Sequence, residues 1–580
     1  MRSTLVIITL SLIGMVMTGL IRRPPTAPPP SLGVSTAIEY FKAEAPGFAL
    51  QCKTLHTAIL TMNIHDTRNI MAVRRLLADC RASYKKIEPF LEYFFRSSAR
   101  VYNRAPKFEA EEPGMEYQSP LGLQVIETLL YETNTPDRKK QLTEQSAAVA
   151  SSASDLIALL YDFRADDRQI LESLRIQLVR IITLGITGYD APYLKTGITE
   201  SYQSLLSIKH QLEPYQPGDS LQSILDSSIA YCKDHPGFNS FDRVTFLKRH
   251  ALPLQHQLSL LIREKGLGLN TNKVLNYEAH DLFSPDALLP ESFPGGQGSS
   301  DTALVAKGRQ LFYDKALSGN RQRNCASCHA PEKMFTDGLT TPLTLDGHGV
   351  LARNAPSLLY CGFQYRQFWD GRATTLEEQI KTVLQDPKEM HAGDSALSNL
   401  EPITRAIAAY VRTLHPMHSA FDRYIEGGTN AHLTASQING ANLFLGRAQC
   451  ATCHFAPLFN GLIPPDYAVT EFEVLGTTRN DRLDKPRLSM DQGRYSVYPF
   501  PFYKGAFKTP TVRNTAVTAP YMHNGAFRSL EKVMEFYNRG GGQGLGLEIP
   551  SQTLSSHPLG FTKREMQDLI HFIDALTDNP

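Results

Sequence analysis

The stretch NCASCHA spans residues 324–330, and QCATCHF follows at 449–455. Both spell Cys-x-x-Cys-His: Cys325, Cys328 and His329 first, then Cys450, Cys453 and His454. Three chemistries use such a motif. A structural zinc site takes four ligands, usually from two neighbouring Cys/His pairs; here each motif offers three, and the two lie far apart in the chain. A thioredoxin-like dithiol needs no His directly after the second Cys and belongs in a βαβ setting, whereas the flanking sequence has a helical pattern. Covalent haem uses every residue of the motif. The two thiols add to the two vinyl groups of one porphyrin, and the adjacent His reaches the iron from the proximal side. The sequence therefore predicts two haem c groups, one attached at Cys325 and Cys328 with His329 on its iron, the other at Cys450 and Cys453 with His454.

Outward from the motifs, DTALVAKGRQLFYD leads into the first and INGANLFLGRAQ into the second. The repeated arrangement predicts two small helical cytochrome-c-type domains, 301–425 and 426–580, in which haem supplies much of the apolar core. Residues 284–300, SPDALLPESFPGGQGSS, read as a linker. Before them, NIMAVRRLLADCRASYKKIEPFLEYFF and LESLRIQLVRIITLGI carry apolar residues at three and four spacing, so 36–283 reads as a helical bundle. The predicted fold class is mainly α: an N-terminal bundle followed by two haem domains.

At 580 residues the chain exceeds one core, and two to four domains are expected. A net charge of +1 gives no reason to expect a nucleic-acid partner. Residues 5–21 form an uncharged apolar run, followed by Arg22, Arg23 and the proline-rich 24–35. Residues 1–23 are read as a secretory signal or an uncleaved signal-anchor, predicting a periplasmic protein, anchored to the inner membrane in the second case. Besides the motif thiols there are Cys52, Cys80, Cys232 and Cys361; export permits disulfides among them, and the sequence leaves their pairing open.

Between and after the motifs come GHGVLARNAPSLLY, FQYRQFWDGRATTLEEQI, DPKEM, FKTPTVRNTAVTAPYMHNGAFRSLEKVMEFYNRGG and FTKREMQDLIHFIDALTD. In these ordered stretches, over about 301–580, the chain resembles the bacterial di-haem cytochrome c peroxidase superfamily, which includes the MauG-type enzymes. The resemblance implies that the first haem reacts with peroxide. It matches the family's distal Gln and Glu to Gln379 and Glu389. A carboxylate near the iron can move a proton from one peroxide oxygen to the other, and an amide can hold the peroxide. A proline common four residues after that Gln is Val383 here. His348 matches a mobile loop His that caps the peroxidatic iron in some resting members. Trp369, the only tryptophan, matches the residue lying between the haems and would relay electrons. One calcium is implied between the domains, at positions matching Asn354, Thr518 and Pro520.

The distal ligand of the second haem separates the subclasses. Peroxidase-type members use a Met, which raises the potential; MauG-type members use a Tyr. The matching position is Tyr537, with Met534 one helical turn earlier as competitor and simple packing of Tyr537 as a further alternative. An anionic tyrosinate would favour the higher oxidation states. In the N-terminal half, PLGLQVIETLLYE resembles the core helix of imelysin-like domains. Their Gly-x-His-x-x-Glu becomes Gly122, Gln124 and Glu127, with Gln in place of His. Glu127 is accordingly expected to be an ordinary charge on a helix face.

The leading expectation is an exported di-haem peroxidase that reduces hydrogen peroxide with electrons passed from the second haem to the first, fed by a small redox protein. The alternatives are a MauG-type enzyme oxidising residues of a partner protein, and a non-enzymatic di-haem electron carrier. A carrier has no use for the proton-handling pair Gln379 and Glu389.

Overall fold

The structure is a computed structural model that describes residues 31–111, 116–132, 135–268, 273–298, 300–428 and 431–578. The expected signal or anchor, and most of the proline-rich stretch after it, lie outside these residues. Among the described residues no helix is long and apolar enough to cross a membrane.

The N-terminal half is built on a hairpin of two long helices, Val34–Thr61 and Thr67–Phe94. In the first, Phe41, Ala45, Phe48, Cys52, Leu55 and Ile59 are buried, the three-and-four spacing that places side chains on one helix face. The second is started by Asp66, whose carboxylate accepts the Arg68 amide and so satisfies one of the free N–H groups of the first turn. Arg138–Ser154 packs on the first helix and Gly197–Leu212 on the second. The helices also enclose charge. Arg81 meets Glu200 through two hydrogen bonds of 2.9 and 3.0 Å, and Lys85 reaches Glu88 at 2.7 Å and Asp190 at 2.6 Å. Cys52 and Cys80 bring their sulfurs to 3.4 Å, buried between the two long helices. Among the elements that escaped the sequence reading is a hairpin of Glu109–Glu111 antiparallel to Glu116–Gln118. Strands of three residues are too short to display an alternation.

The two haem-motif units repeat one crossing. In the first, Thr302–Phe312 packs on Leu400–Arg412; in the second, Ala435–Phe444 packs on Lys563–Ala575. Each crossing turns on a glycine. A Cβ on Gly308 would stand 1.8 Å from the Ala406 carbonyl oxygen, and one on Gly440 would stand 1.9 Å from that of Asp568. The backbones approach closer than any side chain permits. Capping boxes start both helices of the second unit, at Thr434 with Gln437 and at Thr562 with Glu565.

The stretch read as a linker is packed down. Just before it Phe283 meets Phe421 with ring centroids 6.0 Å apart, and within it Phe293 meets Phe363 at 5.5 Å. Burying these rings holds the halves together. The bundle and the second unit share one continuous apolar core, which also takes in Tyr360, Phe363 and Phe421 of the first unit; the rest of the first unit keeps a separate core around Leu311, Phe312, Leu384 and Ile407.

Candidate active site: one cavity shared by both Cys-x-x-Cys-His motifs

A cavity of about 1880 Å³ runs between the two units, and all six motif residues line it. Each motif opens as a short helical turn, Cys325–Ser327 and Cys450–Thr452, which brings the His amide to the carbonyl of the first Cys, at 3.0 Å in one and 2.9 Å in the other. Both imidazoles are held alike. His329 Nδ1 lies 3.1 Å from the Phe335 carbonyl oxygen, and His454 Nδ1 lies 3.0 Å from that of Pro510. A carbonyl can only accept, so Nδ1 carries the proton and Nε2 keeps its lone pair, as a metal-ligating His requires. Burial lowers the pKa of both rings and favours the neutral form. Burial also pushes the Cys325 and Cys450 thiols up to about 12. Reactive redox thiols are shifted the other way. Two thiols, a ligand-ready imidazole and an apolar cavity fit a covalently attached haem at each motif.

The helix Leu376–Gln385 carries Gln379, and Glu389 follows its end; both line the cavity beside Ile380, Val383 and Leu384. Thr375 starts this helix by accepting the Glu378 amide at 3.1 Å. Burial, and secondarily Asp386, raise Glu389 to about 7, with Arg372 and Arg323 opposing. A carboxyl poised there can both accept and return a proton near neutral pH. Trp369 also lines the cavity. Its backbone carbonyl accepts from the Lys508 amide at 2.8 Å.

Asn354, Thr518 and Pro520 line the cavity as well. The Asn354 side-chain nitrogen donates to the Leu339 carbonyl at 2.8 Å. Among the described residues its Oδ1 carries no hydrogen bond, which suits an oxygen donor to a hard cation. His348 lies apart: it is exposed, its amide donates to Asp346 at 3.1 Å, and it does not line the cavity.

Helix Leu530–Asn538 presents Tyr537 and Met534, and both reach the cavity. Burial raises the Tyr537 phenol, with Cys453 and Cys450 adding to the shift, so this side chain lies against the second motif. Among the described residues its hydroxyl has no hydrogen-bond partner. Met534 is 8% exposed and belongs to the apolar core.

Several lining residues had no signal in the sequence. Lys508 donates to Gln364 and to the Arg366 carbonyl, and burial lowers its ammonium to about 8. Arg353 grips Asp370, next to Trp369, at 2.6 Å and Asp491 at 2.7 and 2.9 Å. The bundle contributes Lys107, Gln124, Glu132 and Tyr193 to the same cavity.

The bundle motif corrects one expectation. Glu127 is not a surface charge: it is fully buried, and its Oε1 accepts the amides of Tyr193 at 2.7 Å and Leu194 at 2.8 Å. Burial raises it to about 7. The helix Leu123–Tyr131 is covered on nearly every side, so it offers no solvated face. Gln124 donates to Asn103 at 3.3 Å, and Gly122 holds φ 111° where a Cβ would meet the Tyr102 carbonyl oxygen at 2.5 Å.

The family model described as di-haem cytochrome c peroxidase matches residues 302–401. Cytochrome-c peroxidase IdrP1 of Pseudomonas sp. (strain SCT) is 34% identical over 359 residues, covering 55% of this chain and 92% of that protein. The chain belongs to the di-haem cytochrome c peroxidase family. Within the family, the methylamine utilization protein MauG of Methylorubrum extorquens is 31% identical over 317 residues, covering 50% of this chain and 83% of MauG. The crystal structure of a MauG-like protein associated with microbial copper homeostasis is 31% identical, covers 48% of this chain and 89% of that one, and gives a TM-score of 0.41. As a member of the di-haem peroxidase family the protein is a c-type haem oxidoreductase with a mainly α fold.

Proposed function

We propose that this protein is an exported di-haem peroxidase that reduces hydrogen peroxide to water at the His329 site, with electrons arriving through the His454 site. Haem c, attached at Cys325 and Cys328 and at Cys450 and Cys453, supplies the iron that exchanges electrons with peroxide. The observation that carries the reading is Glu389: a carboxyl raised to about 7 in the cavity that holds the first motif. Gln379 holds the peroxide by its amide. Glu389 takes a proton from one peroxide oxygen and delivers it to the other, while Ile380, Val383 and Leu384 keep bulk water out. Trp369 stands on the electron path, its indole tied to backbone so that the ring keeps one orientation. Asn354, Thr518 and Pro520 would hold one calcium beside it. For His348 to reach the first iron, the loop about Gly347 would have to fold inward. On this reading 301–425 is the peroxidatic unit and 426–580 the electron-entry unit.

One observation favours a second reading, in which peroxide drives the oxidation of residues in a partner protein as in MauG-type enzymes. Tyr537, whose hydroxyl has no hydrogen-bond partner among the described residues, faces the same cavity as His454. A peroxide titration of the fully oxidised protein and of the protein pre-reduced by one electron decides between them. Reaction of the half-reduced protein alone, with turnover of a reduced cytochrome, establishes the peroxidase. Immediate reaction of the fully oxidised protein with a long-lived absorption change establishes the MauG-type enzyme. If neither sample consumes peroxide, both readings fall and an electron carrier is left.

A further inference from the structure

The bundle is docked against the second motif. The Gln449 side-chain amide donates to the Pro192 carbonyl at 2.9 Å, and Tyr189 packs edge-on against Phe455 with centroids 5.4 Å apart. Gln449 precedes Cys450 and Phe455 follows His454, so these contacts bracket the motif. Directly after Pro192 stands Tyr193. Its backbone is anchored on buried Glu127, and its side chain lines the cavity together with Glu132. The Tyr193 hydroxyl donates to Glu132 Oε1 at 2.9 Å, and Glu132 is exposed. The Tyr193 ring is stacked on Tyr131 at 5.2 Å and 19°. The far ring, Tyr131, lies under the Arg74 guanidinium, 3.6 Å from its centroid.

We propose that Tyr193 is a redox-active residue, a one-electron relay between the protein surface and the second haem motif, with Glu132 as its proton acceptor. The inference rests on the peroxide-consuming reading and adds to it the route by which electrons enter. The physical case is the contrast within the stacked pair. A cation over Tyr131 stabilises its electron-rich ring and resists removal of an electron. Among the described residues no cation lies over Tyr193, and it has a carboxylate hydrogen-bonded to the proton it must lose on oxidation. Burial and Glu132 push the Tyr193 phenol up, so at rest it is neutral and donates.

The balance is as follows. Hydrogen peroxide takes two electrons and two protons to become two waters. Tyr193 gives up one electron inward while its phenolic proton passes to the Glu132 carboxylate, leaving a neutral tyrosyl radical and a neutral carboxyl. An external one-electron donor refills the radical, and the proton returns from Glu132. A second passage supplies the second electron, and solvent supplies the two protons consumed.

The test uses the full-length haem-loaded protein, in one sample fully oxidised and in the other pre-reduced by one electron, mixed with hydrogen peroxide with no further reductant. Samples are frozen for electron paramagnetic resonance, or treated with a nitroso spin trap and digested for peptide mass spectrometry. The expected result is a tyrosyl signal with the trap adduct on Tyr193. That signal should be lost in Tyr193→Phe, which keeps the stack, retained in Tyr131→Phe, and diminished in Glu132→Gln, with haem absorption unchanged in all three. An adduct confined to other residues, or an unaltered signal in Tyr193→Phe, overturns the proposal. Peroxide consumption by the unsubstituted protein without any tyrosyl signal overturns this inference alone; no consumption by either sample overturns the reading beneath it as well.

Discussion

The indole N–H of Trp369 donates to the backbone carbonyl of Asn354 at 3.0 Å. The one tryptophan of the chain is thereby fastened to a residue of the proposed calcium site. Chelating calcium should shift the tryptophan emission and slow peroxide turnover together, and adding calcium back should restore both. Emission and turnover insensitive to chelator would remove the ion from Asn354.

Glu389→Gln should lower peroxide turnover by about 10²–10⁴, the usual contribution of a positioned proton carrier. The sign with pH follows from its raised value of about 7. Only the ionised carboxylate accepts a proton, so turnover should rise as pH passes upward through about 7, and Glu389→Gln should be flat over that range. The same shift means that the folded protein holds a proton the unfolded chain has lost. Stability should therefore decline as pH rises from the ordinary carboxylate range to about 7 and level off above it. Denaturation of protein and variant across this window reads the difference.

Tyr537→Phe and Met534→Leu separate the two candidates for the second iron. With Tyr537 as ligand, Tyr537→Phe should change the visible and near-infrared absorption of the second haem and raise its potential, while Met534→Leu leaves both as they were. The reverse outcome would assign the site to Met534 and with it the peroxidase subclass.

Arg513 and Asp422 form a two-bond ion pair of 2.7 and 2.8 Å, with neither side chain more than 1% exposed. Asp422→Ala leaves a buried guanidinium without its partner and should cost about 3–5 kcal/mol, measured by denaturant unfolding of the haem-loaded protein. Arg513 holds the Asp422 carboxyl below its ordinary value. That contribution is complete above the ordinary aspartate pKa and fades as pH falls through the lowered one.

Gly440→Ala and Gly308→Ala should each destabilise their own unit, by about 1–3 kcal/mol as for other overpacked sites. Only Gly440→Ala should disturb absorption from the haem at His454. Equal effects on both haems would mean that the units do not fold around separate crossings.

What the sequence disclosed follows from the range of the interactions concerned. The two motifs are contiguous, so Cys325, Cys328, His329 and their counterparts could be read directly. The carbonyls that orient the imidazoles differ: Phe335 lies close by in the chain, but Pro510 lies far beyond His454. Gln379 and Glu389 were matched through the family resemblance rather than from any local pattern, and the structure carries them on one helix and the turn that follows it, both lining the cavity. Glu127 was misjudged because its burial is decided by the backbone at Tyr193 and Leu194, which no local pattern announces. Residues 284–300 looked like a free linker from their Gly, Pro and Ser content, yet Phe293 finds its partners only once Phe363 and Tyr365 are in place. Lys107 and Tyr193 had no signal at all, since their place in the cavity depends on how a bundle sits against a separate unit.

That seating also orders the protein's manufacture. The turn Cys450–Thr452 packs against the bundle segment Ile181–Gly185. The bundle leaves the ribosome first and can fold early, but the enzyme that joins porphyrin to Cys450 and Cys453 needs those thiols uncovered. Haem attachment at the second motif should therefore precede closure of the two halves. A chain that closed before receiving its second cofactor would hinder that enzyme at both thiols.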